Sequence, residues 1–234
     1  MTLLALIIAA PLLAALAALV LRRAPEAIAL TGIGIGLAAA LALLAGTFGG
    51  NAAHLVLPGL PRMPLILSAE PLTAVFSALV ATVAFGVLVY AAGYMRGGPG
   101  RPRFFGTVLL FVAAMQALVL AGDWITLLAA WELIGFSSYL LIGFWYKKPS
   151  ANAAAIKAFI VNRVGDFGFA LGIFGLFVLF GSIEFSTIFA NVPDYMANGK
   201  DTETVLNFLG YELSRSSAIT VVCLLLFMGA MGKS

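Results

Sequence analysis

The stretch WITLLAAWELIGFSSYLLIGFWY, residues 124–146, decides the fold, because it is long and apolar enough to cross a bilayer and contains one acidic residue, Glu132. A transmembrane helix needs about 20 predominantly apolar residues. In a helix that begins at Trp124, Glu132 lies about 12 Å along the axis, near the middle of a hydrocarbon core about 30 Å thick. A carboxylate at that depth is costly to insert, so it indicates a functional or paired group.

Six further stretches have the same length and character, and the whole composition agrees with them. The 234 residues are 62% hydrophobic and 10% charged, with a mean hydropathy of +1.09. Soluble domains contain about 25% charged residues, so a water-soluble fold is excluded. We predict an all-α polytopic helical bundle with about seven transmembrane helices in a single transmembrane domain. The other six spans are 3–21, 27–48, 72–94, 104–121, 156–180 and 218–234. The first is read as a retained helix, because no basic residues precede it.

Basic residues are concentrated in alternate loops. The loops after the first, third and fifth spans together hold seven positive charges, whereas the opposite side holds Arg62, Lys200 and Arg215 together with most of the loop acids. The positive-inside rule places the basic loops in the cytoplasm and the N-terminus on the outer side. The isoelectric point near 9.2 therefore reflects loop topology, and no nucleic-acid partner is expected. The seven charges are Arg22, Arg23, Arg96, Arg101, Arg103, Lys147 and Lys148.

The supply of metal ligands excludes a redox centre in this chain. It contains one cysteine, Cys223, and one histidine, His54. An iron–sulfur cluster or a structural zinc ion needs about four such ligands. We therefore expect no cofactor and no metal here, and electrons to pass elsewhere.

Charged residues within the apolar spans are the candidate functional groups. Besides Glu132, they are Lys233 in the seventh span and Arg163 with Asp166 in the sixth. Arg163 and Asp166 are three residues apart, so they share a helix face and can pair. Each charge costs about 2.5–3.5 kcal/mol on insertion scales, so the four must face one another or water. Lys157, at the start of the sixth span, is either a snorkelling lysine or part of a proton entry path.

Two readings of these charges stay open. Two acids and two bases form a neutral set in which each sign stabilises the other, and separating them favours proton release, which is the basis of a relay. Arginine does not deprotonate, so Arg163 would tune Asp166 rather than carry the proton. In the other reading the charges are structural ion pairs that hold helices together in a scaffold without transport.

The longer connections and the small residues give further predictions. Residues 49–71 contain four prolines and should be largely non-helical, whereas the polar segment 193–215 is predicted to hold a short surface helix. The pairs Gly32/Gly36 and Gly168/Gly172 have the spacing of close helix packing. The terminal Gly-Lys-Ser lacks the preceding glycine and strand of a phosphate-binding loop, so nucleotide binding is rejected. The abrupt end at Ser234 suggests the N-terminal part of a longer protein.

Several motifs together resemble one family. They are Trp131-Glu-Leu-Ile-Gly-Phe-Ser-Ser-Tyr-Leu-Leu-Ile-Gly-Phe-Trp-Tyr146, Lys157-Ala-Phe-Ile-Val-Asn-Arg-Val-Gly-Asp-Phe-Gly168 and Gly229-Ala-Met-Gly-Lys-Ser234. With Gly93-Tyr-Met-Arg96 and Arg103-Phe-Phe105, they are similar to the antiporter-like subunit L, or chain 5, of respiratory complex I (NADH–quinone oxidoreductase). The resemblance runs from about residue 70 to the end, in order and at family spacing.

The resemblance implies a fold and roles for residues. The family fold is a bundle built from two inverted five-helix repeats, in which residues 1–103 would be leading helices and 104–234 the start of the first antiporter-like repeat. Glu132 and Lys233 match the family's key charged pair, and Arg163 and Asp166 match its sixth-span charges. The family's seventh helix is broken near its lysine, for which Gly229 and Gly232 are suitable.

The resemblance also implies a function. The chain would be a proton-translocating membrane-arm subunit in a bacterial inner membrane or another energy-transducing membrane. It would belong to an enzyme complex with other membrane-arm subunits, while NAD, FMN, iron–sulfur clusters and quinone bind in partner subunits. The alternative is a homologous subunit of a cation/proton antiporter or a related ion-coupled complex. Leu133-Ile-Gly in place of Gly-Val-Gly, and Glu70-Pro71 in place of Asp-Gly, depart from the family pattern without touching the charged pair.

Overall fold

The computed structural model describes residues 2–50, 52–60, 63–197, 204–208 and 210–233. Arg62, Lys200 and Ser234, which the sequence analysis used, lie outside these residues. The described part contains eight α-helices and two short β-hairpins. In chain order they are α1 (Thr2–Leu21), α2 (Pro25–Phe48), β1 (Ala53–Leu60), β2 (Met63–Ala69), α3 (Pro71–Tyr94), α4 (Arg101–Val119), α5 (Trp124–Ile142), α6 (Pro149–Phe180), α7 (Phe185–Ala197), β3 (Leu206–Phe208), β4 (Tyr211–Leu213) and α8 (Arg215–Lys233).

The seven predicted spans are confirmed. Seven helices among the described residues are long and apolar enough to cross a membrane, and they are α1 to α6 and α8. The main differences are at the ends of the spans. Helix α5 ends at Ile142, four residues before the predicted end, and α6 begins at Pro149, seven residues before the predicted start. Proline is well tolerated in the first turn of a helix, where its missing N–H has no partner to lose.

The chain divides into two compact units, residues 1–155 and 156–234, and the division falls within α6. In the first unit, α1 packs against α2 and α4, α2 against α3, and α4 against α5. Small residues allow these close approaches: a Cβ on Gly32 would lie 2.2 Å from the Ala14 Cβ, and one on Gly36 3.6 Å from the Ile7 carbonyl oxygen. The predicted packing role of Gly32 and Gly36 is therefore confirmed.

The connection between α2 and α3 is non-helical, as predicted, and it forms an antiparallel hairpin of β1 and β2. Leu55 and Leu67 are buried in one apolar cluster with Leu4 and Ile7 of α1. The hairpin also bonds to the α4–α5 connection, since the Ser68 N–H donates to the Leu120 carbonyl at 2.8 Å. The hairpin thus covers one end of the first unit.

In the second unit, the predicted surface helix at 193–215 is wrong in position. The helix there is α7, which begins at Phe185 and contains Pro193 in its interior. Strands β3 and β4 pair here instead, with Gly210 at a positive φ of 85° between them. Glycine adopts this backbone conformation without the strain of a Cβ, which favours a hairpin turn over a helix at this point.

Helix α8 runs unbroken from Arg215 to Lys233. The break expected at Gly229 and Gly232 therefore does not lie before the lysine, and the chain after Lys233 is outside the described residues. The two glycines contact α6 instead. A Cβ on Gly229 would lie 2.6 Å from the Phe169 Cβ, and one on Gly232 would lie 2.8 Å from the Gly165 Cα.

Candidate functional site: charged residues of α5, α6 and α8

The charged pair predicted on α6 is present. An Nη1 atom of Arg163 lies 3.8 Å from Oδ2 of Asp166, and the Asp166 side chain is 7% exposed whereas that of Arg163 is 45% exposed. This separation is an ion-pair distance but longer than a hydrogen bond. The Arg163 guanidinium also lies over the Phe159 ring, 4.8 Å from its centroid. The two charges are thus close enough for each to act on the electrostatic field at the other.

A stripe of glycines on α6 brings α8 against this pair. Added Cβ atoms on Gly165, Gly168, Gly172 and Gly175 would meet α8 atoms at 2.6–3.0 Å. Only the middle two of these glycines were singled out from the sequence, and their packing role is confirmed. The spacing of three, four and three residues keeps the stripe on one helix face. Close contact at small residues is one way in which helices associate in lipid, where no hydrophobic force drives them together.

Lys233 directly follows one of the contacting residues of this crossing. Its neighbour Gly232 contacts Gly165, the residue that precedes Asp166. Lys233 is half-buried at the end of α8. The structure therefore brings the backbones that carry Lys233, Asp166 and Arg163 to one place in the second unit. Lys157 is exposed, six residues before Arg163 on the same helix.

Glu132 lies in the first unit, at the ninth of the nineteen residues of α5. It is half-buried, and it is about 200° around the helix from the buried Ala130. The mid-helix position predicted from the sequence is confirmed. Because Glu132 and Lys233 belong to different units, their pairing stays a prediction.

The buried carboxylate of Asp123 has a structural role that the sequence analysis did not predict. Asp123 is 0% exposed and caps α5, because its Oδ1 accepts hydrogen bonds from the N–H groups of Ile125 and Thr126 at 2.8 and 2.7 Å. Its Oδ2 accepts from the Ile66 N–H of β2 at 2.8 Å and from the Thr126 hydroxyl at 2.5 Å. An Asp directly before an apolar helix is an N-cap signal, so this role was readable from the sequence. The hydrogen bond from the Ile66 N–H of the hairpin to Asp123 was not readable from the sequence.

A buried polar pair between α3 and α4 was also missed. The Ser77 hydroxyl donates to Oε1 of Gln116 at 2.7 Å, and Nε2 of Gln116 donates to the Ser77 carbonyl at 3.0 Å. Both residues are at most 1% exposed. An amide side chain inside an apolar span predicts such an interhelical hydrogen bond. It was missed because only charged residues within the spans were considered as candidates.

No metal-binding group occurs among the residues that the structure describes: nowhere do three or more His, Cys, Asp or Glu side chains come together. The chemistry available is that of carboxylate, ammonium and guanidinium groups held at helix contacts. The carboxylates and the ammonium can bind and release protons in low-dielectric surroundings, whereas the guanidinium stays charged.

Two family models match the chain. The model described as "NADH:quinone oxidoreductase/Mrp antiporter, TM" matches residues 121–234, a range that includes all five candidate site residues. The model described as "NADH-Ubiquinone oxidoreductase (complex I), chain 5 N-terminus" matches residues 62–105.

Curated relatives agree with these models. The chain is 48% identical over 172 residues to NADH-quinone oxidoreductase subunit L of Rhodobacter capsulatus, covering 70% of this chain and 23% of that one. It is 38% identical over 219 residues to NAD(P)H-quinone oxidoreductase subunit 5, organellar chromatophore 1, of Paulinella chromatophora, covering 92% and 31%. The chain thus spans about a quarter to a third of the length of these relatives.

A solved structure shares the fold. A chain in the structure of the Mrp complex from Dietzia sp. DQ12-45-1b matches with a TM-score of 0.81 at 24% sequence identity, over 99% of this chain and 24% of that one. At this identity the likeness shows a shared fold and no more.

Proposed function

Because the chain belongs to the antiporter-like family of NADH–quinone oxidoreductase subunit L, or chain 5, we propose that it acts in proton translocation as part of a membrane-arm subunit of that enzyme. Its relatives are named as subunits of NADH-quinone oxidoreductase. In this proposal NADH oxidation and quinone reduction take place in partner subunits, which hold the NAD, FMN, iron–sulfur and quinone sites. Residues 104–234 would begin the first antiporter-like repeat, and 1–103 would be leading helices.

The observation that carries the proposal is the α6–α8 crossing. It brings the backbone of a lysine close to that of a buried aspartate, which is paired with an arginine. A lysine can bind and release a proton, whereas an arginine stays charged. Lys233 would therefore hold the proton, and Asp166 with Arg163 would set the field around it.

Glu132 would control Lys233 from α5. While the carboxylate is charged and near, it stabilises the protonated lysine, and when it is neutral or distant the lysine releases its proton more readily. Lys157, exposed eight residues after the first residue of α6, would lie on the entry path. The concentration of positive charge in alternate loops supports an N-terminus on the outer side of a bacterial inner membrane or an equivalent energy-transducing membrane.

The test compares two substitutions of the lysine in the complete complex in its native membrane. Lys233→Arg keeps the positive charge and removes the titration, and Lys233→Ala removes both. We expect both to lower the protons pumped per NADH oxidised, measured by fluorescence quenching in inverted vesicles, with normal assembly on native gels. Glu132→Gln should do the same.

The controls are Cys223→Ala, on the exposed face of α8, and Glu212→Gln, on the exposed hairpin strand. Both should pump normally. If Lys233→Arg pumps normally while Lys233→Ala fails to assemble, the charges are structural ion pairs that hold the helices together, and the proposal is wrong.

A cation/proton antiporter subunit is the second candidate, favoured by the fold shared with the Mrp complex. The two functions differ in their driving reaction. An antiporter dissipates an imposed pH gradient when sodium or another cation is added without NADH, whereas the first proposal requires NADH oxidation to build that gradient.

A further inference from the structure

A pocket of about 340 Å³ lies at one end of the first unit, where α4 begins and the turn after α5 ends. Basic and aromatic side chains line it, together with Pro99 and Gly100. It is distinct from the charged residues of the proposed relay. The side chains are Arg103, Phe144, Trp145, Tyr146, Lys147 and Lys148.

This end of the unit is the basic one. An ion pair between Arg101 and Glu26 joins the start of α4 to the start of α2. Arg103 donates to the Phe144 carbonyl oxygen at 2.6 Å, which joins the same end to the turn after α5. The three loops rich in arginine and lysine therefore meet at one end of these helices. Under the positive-inside rule that end faces the anionic leaflet surface.

The basic side chains of the pocket are positioned by aromatic rings, and Arg103 keeps hydrogen-bond donors for an anion. The Arg103 guanidinium lies over the Phe144 and Tyr146 rings, 4.8 and 4.7 Å from their centroids, and Lys148 Nζ lies 5.7 Å from the centroid of Trp145. Within the part of the chain that the structure describes, no carboxylate forms a salt bridge with Arg103 or with either lysine. Arg103 has five N–H donors and uses one on the carbonyl, so donors remain for a bound oxyanion.

Helix α5 has exposed apolar side chains near the pocket. Phe136 and Leu140 are exposed and four residues apart, so they lie on one face of α5, which ends at Ile142, two residues before the buried Phe144 of the pocket. These two side chains form an exposed apolar surface between the pocket end of α5 and the middle of the helix. A soluble anion would use only the pocket, whereas a lipid would use the pocket for its headgroup and this surface for an acyl chain.

We infer that this pocket binds the phosphate of an anionic glycerophospholipid, with Arg103, Lys147 and Lys148 around the headgroup and an acyl chain along Phe136 and Leu140. Charge complementarity and the exposed apolar surface of Phe136 and Leu140 near the pocket both favour this occupant. The inference is independent of proton transfer, since it uses none of the residues assigned to the relay.

The test is photolabelling of the purified complex in nanodiscs with a phosphatidylglycerol that carries a diazirine on its acyl chain. Mass spectrometry then locates the label, which we expect within residues 136–146. The matched phosphatidylcholine probe should label these residues more weakly. The main variant is the double substitution Lys147→Gln/Lys148→Gln. Both side chains are exposed, and the contact of Lys148 with the Trp145 ring is the one side-chain interaction that they form among the described residues.

We expect the double variant to bind phosphatidylglycerol about 30-fold more weakly, because each basic residue near an anionic surface contributes about 1 kcal/mol. Arg22→Gln, at the same end of the unit but outside the pocket, should label as the unsubstituted protein does. Equal labelling by the two probes, undiminished labelling of the double variant, or an equal loss in Arg22→Gln would overturn the inference. Displacement of the label by millimolar inorganic phosphate would also overturn it, in favour of a site for soluble anions.

Discussion

The contact between Gly232 and Gly165 predicts that one methyl group disturbs the candidate proton site. An alanine at position 232 would place its Cβ 2.8 Å from the Gly165 Cα, whereas ordinary contacts of such an atom begin at 3.4 Å. The atom in the way belongs to the backbone of α6, so no side chain can rotate to make room. The α6 and α8 backbones must therefore separate by about 0.6 Å or more at this point.

Two consequences follow from Gly232→Ala. Overpacking a close contact costs about 1–3 kcal/mol, so the complex should lose heat stability by that order. A misplacement approaching 1 Å can lower a rate by up to about 100-fold where geometry is critical. Because Lys233 is the next residue, we expect proton pumping per NADH to fall more than assembly does.

The assay is proton pumping in inverted vesicles, with assembly followed on native gels and heat stability followed by residual activity. Gly86→Ala is the matched control, since it makes the same change in membrane helix α3 with nothing within 4 Å of the added Cβ. It should be neutral or slightly stabilising, because alanine favours the helix by about 0.5–1 kcal/mol. Normal pumping and stability in Gly232→Ala, or an equal loss in Gly86→Ala, would refute the reasoning.

Three further outcomes are expected. Asp123→Ala should lower stability by about 1–3 kcal/mol in thermal denaturation, because it removes the α5 cap and the shorter of the two hydrogen bonds of the Ile66 N–H, whose other acceptor is the Thr126 hydroxyl. Asp194→Ala on the exposed face of α7 should not. In a double-mutant cycle, Ser77→Ala and Gln116→Leu should show a coupling energy of about 0.6–1.7 kcal/mol, and additive losses would contradict the reciprocal bond. Burial raises the pKa of the Tyr195 phenol despite the nearby Arg215 guanidinium, so the absorbance difference between the unsubstituted protein and Tyr195→Phe should titrate above pH 10. The stability that this phenol contributes is full below pH 10 and is lost as the pH rises through its higher folded value.

The residues of the sequence were sufficient to predict the membrane class, seven spans and the mid-helix position of Glu132. The reason is that a bilayer imposes length and apolarity on each helix separately, so the signal is local. The pairing of Arg163 with Asp166 was predictable on the same grounds, because a three-residue spacing fixes their helix face. The candidate residues also lie in motifs that the family models match.

Only the tertiary structure decided which elements touch. Contacts between segments distant in sequence determine three features: the extension of the α6 glycine stripe to Gly165 and Gly175, the unbroken path of α8, and the link from Asp123 to β2. The pattern of residues does not reveal which helices are neighbours, because no hydrophobic force drives helices together in lipid. The pairing of β3 with β4 was likewise invisible to span-by-span reading, since these short strands are stabilised by pairing with each other. Local burial in a membrane is thus determined by the amino-acid sequence, whereas the choice of neighbouring helices, and with it the surroundings of Lys233, is determined by packing.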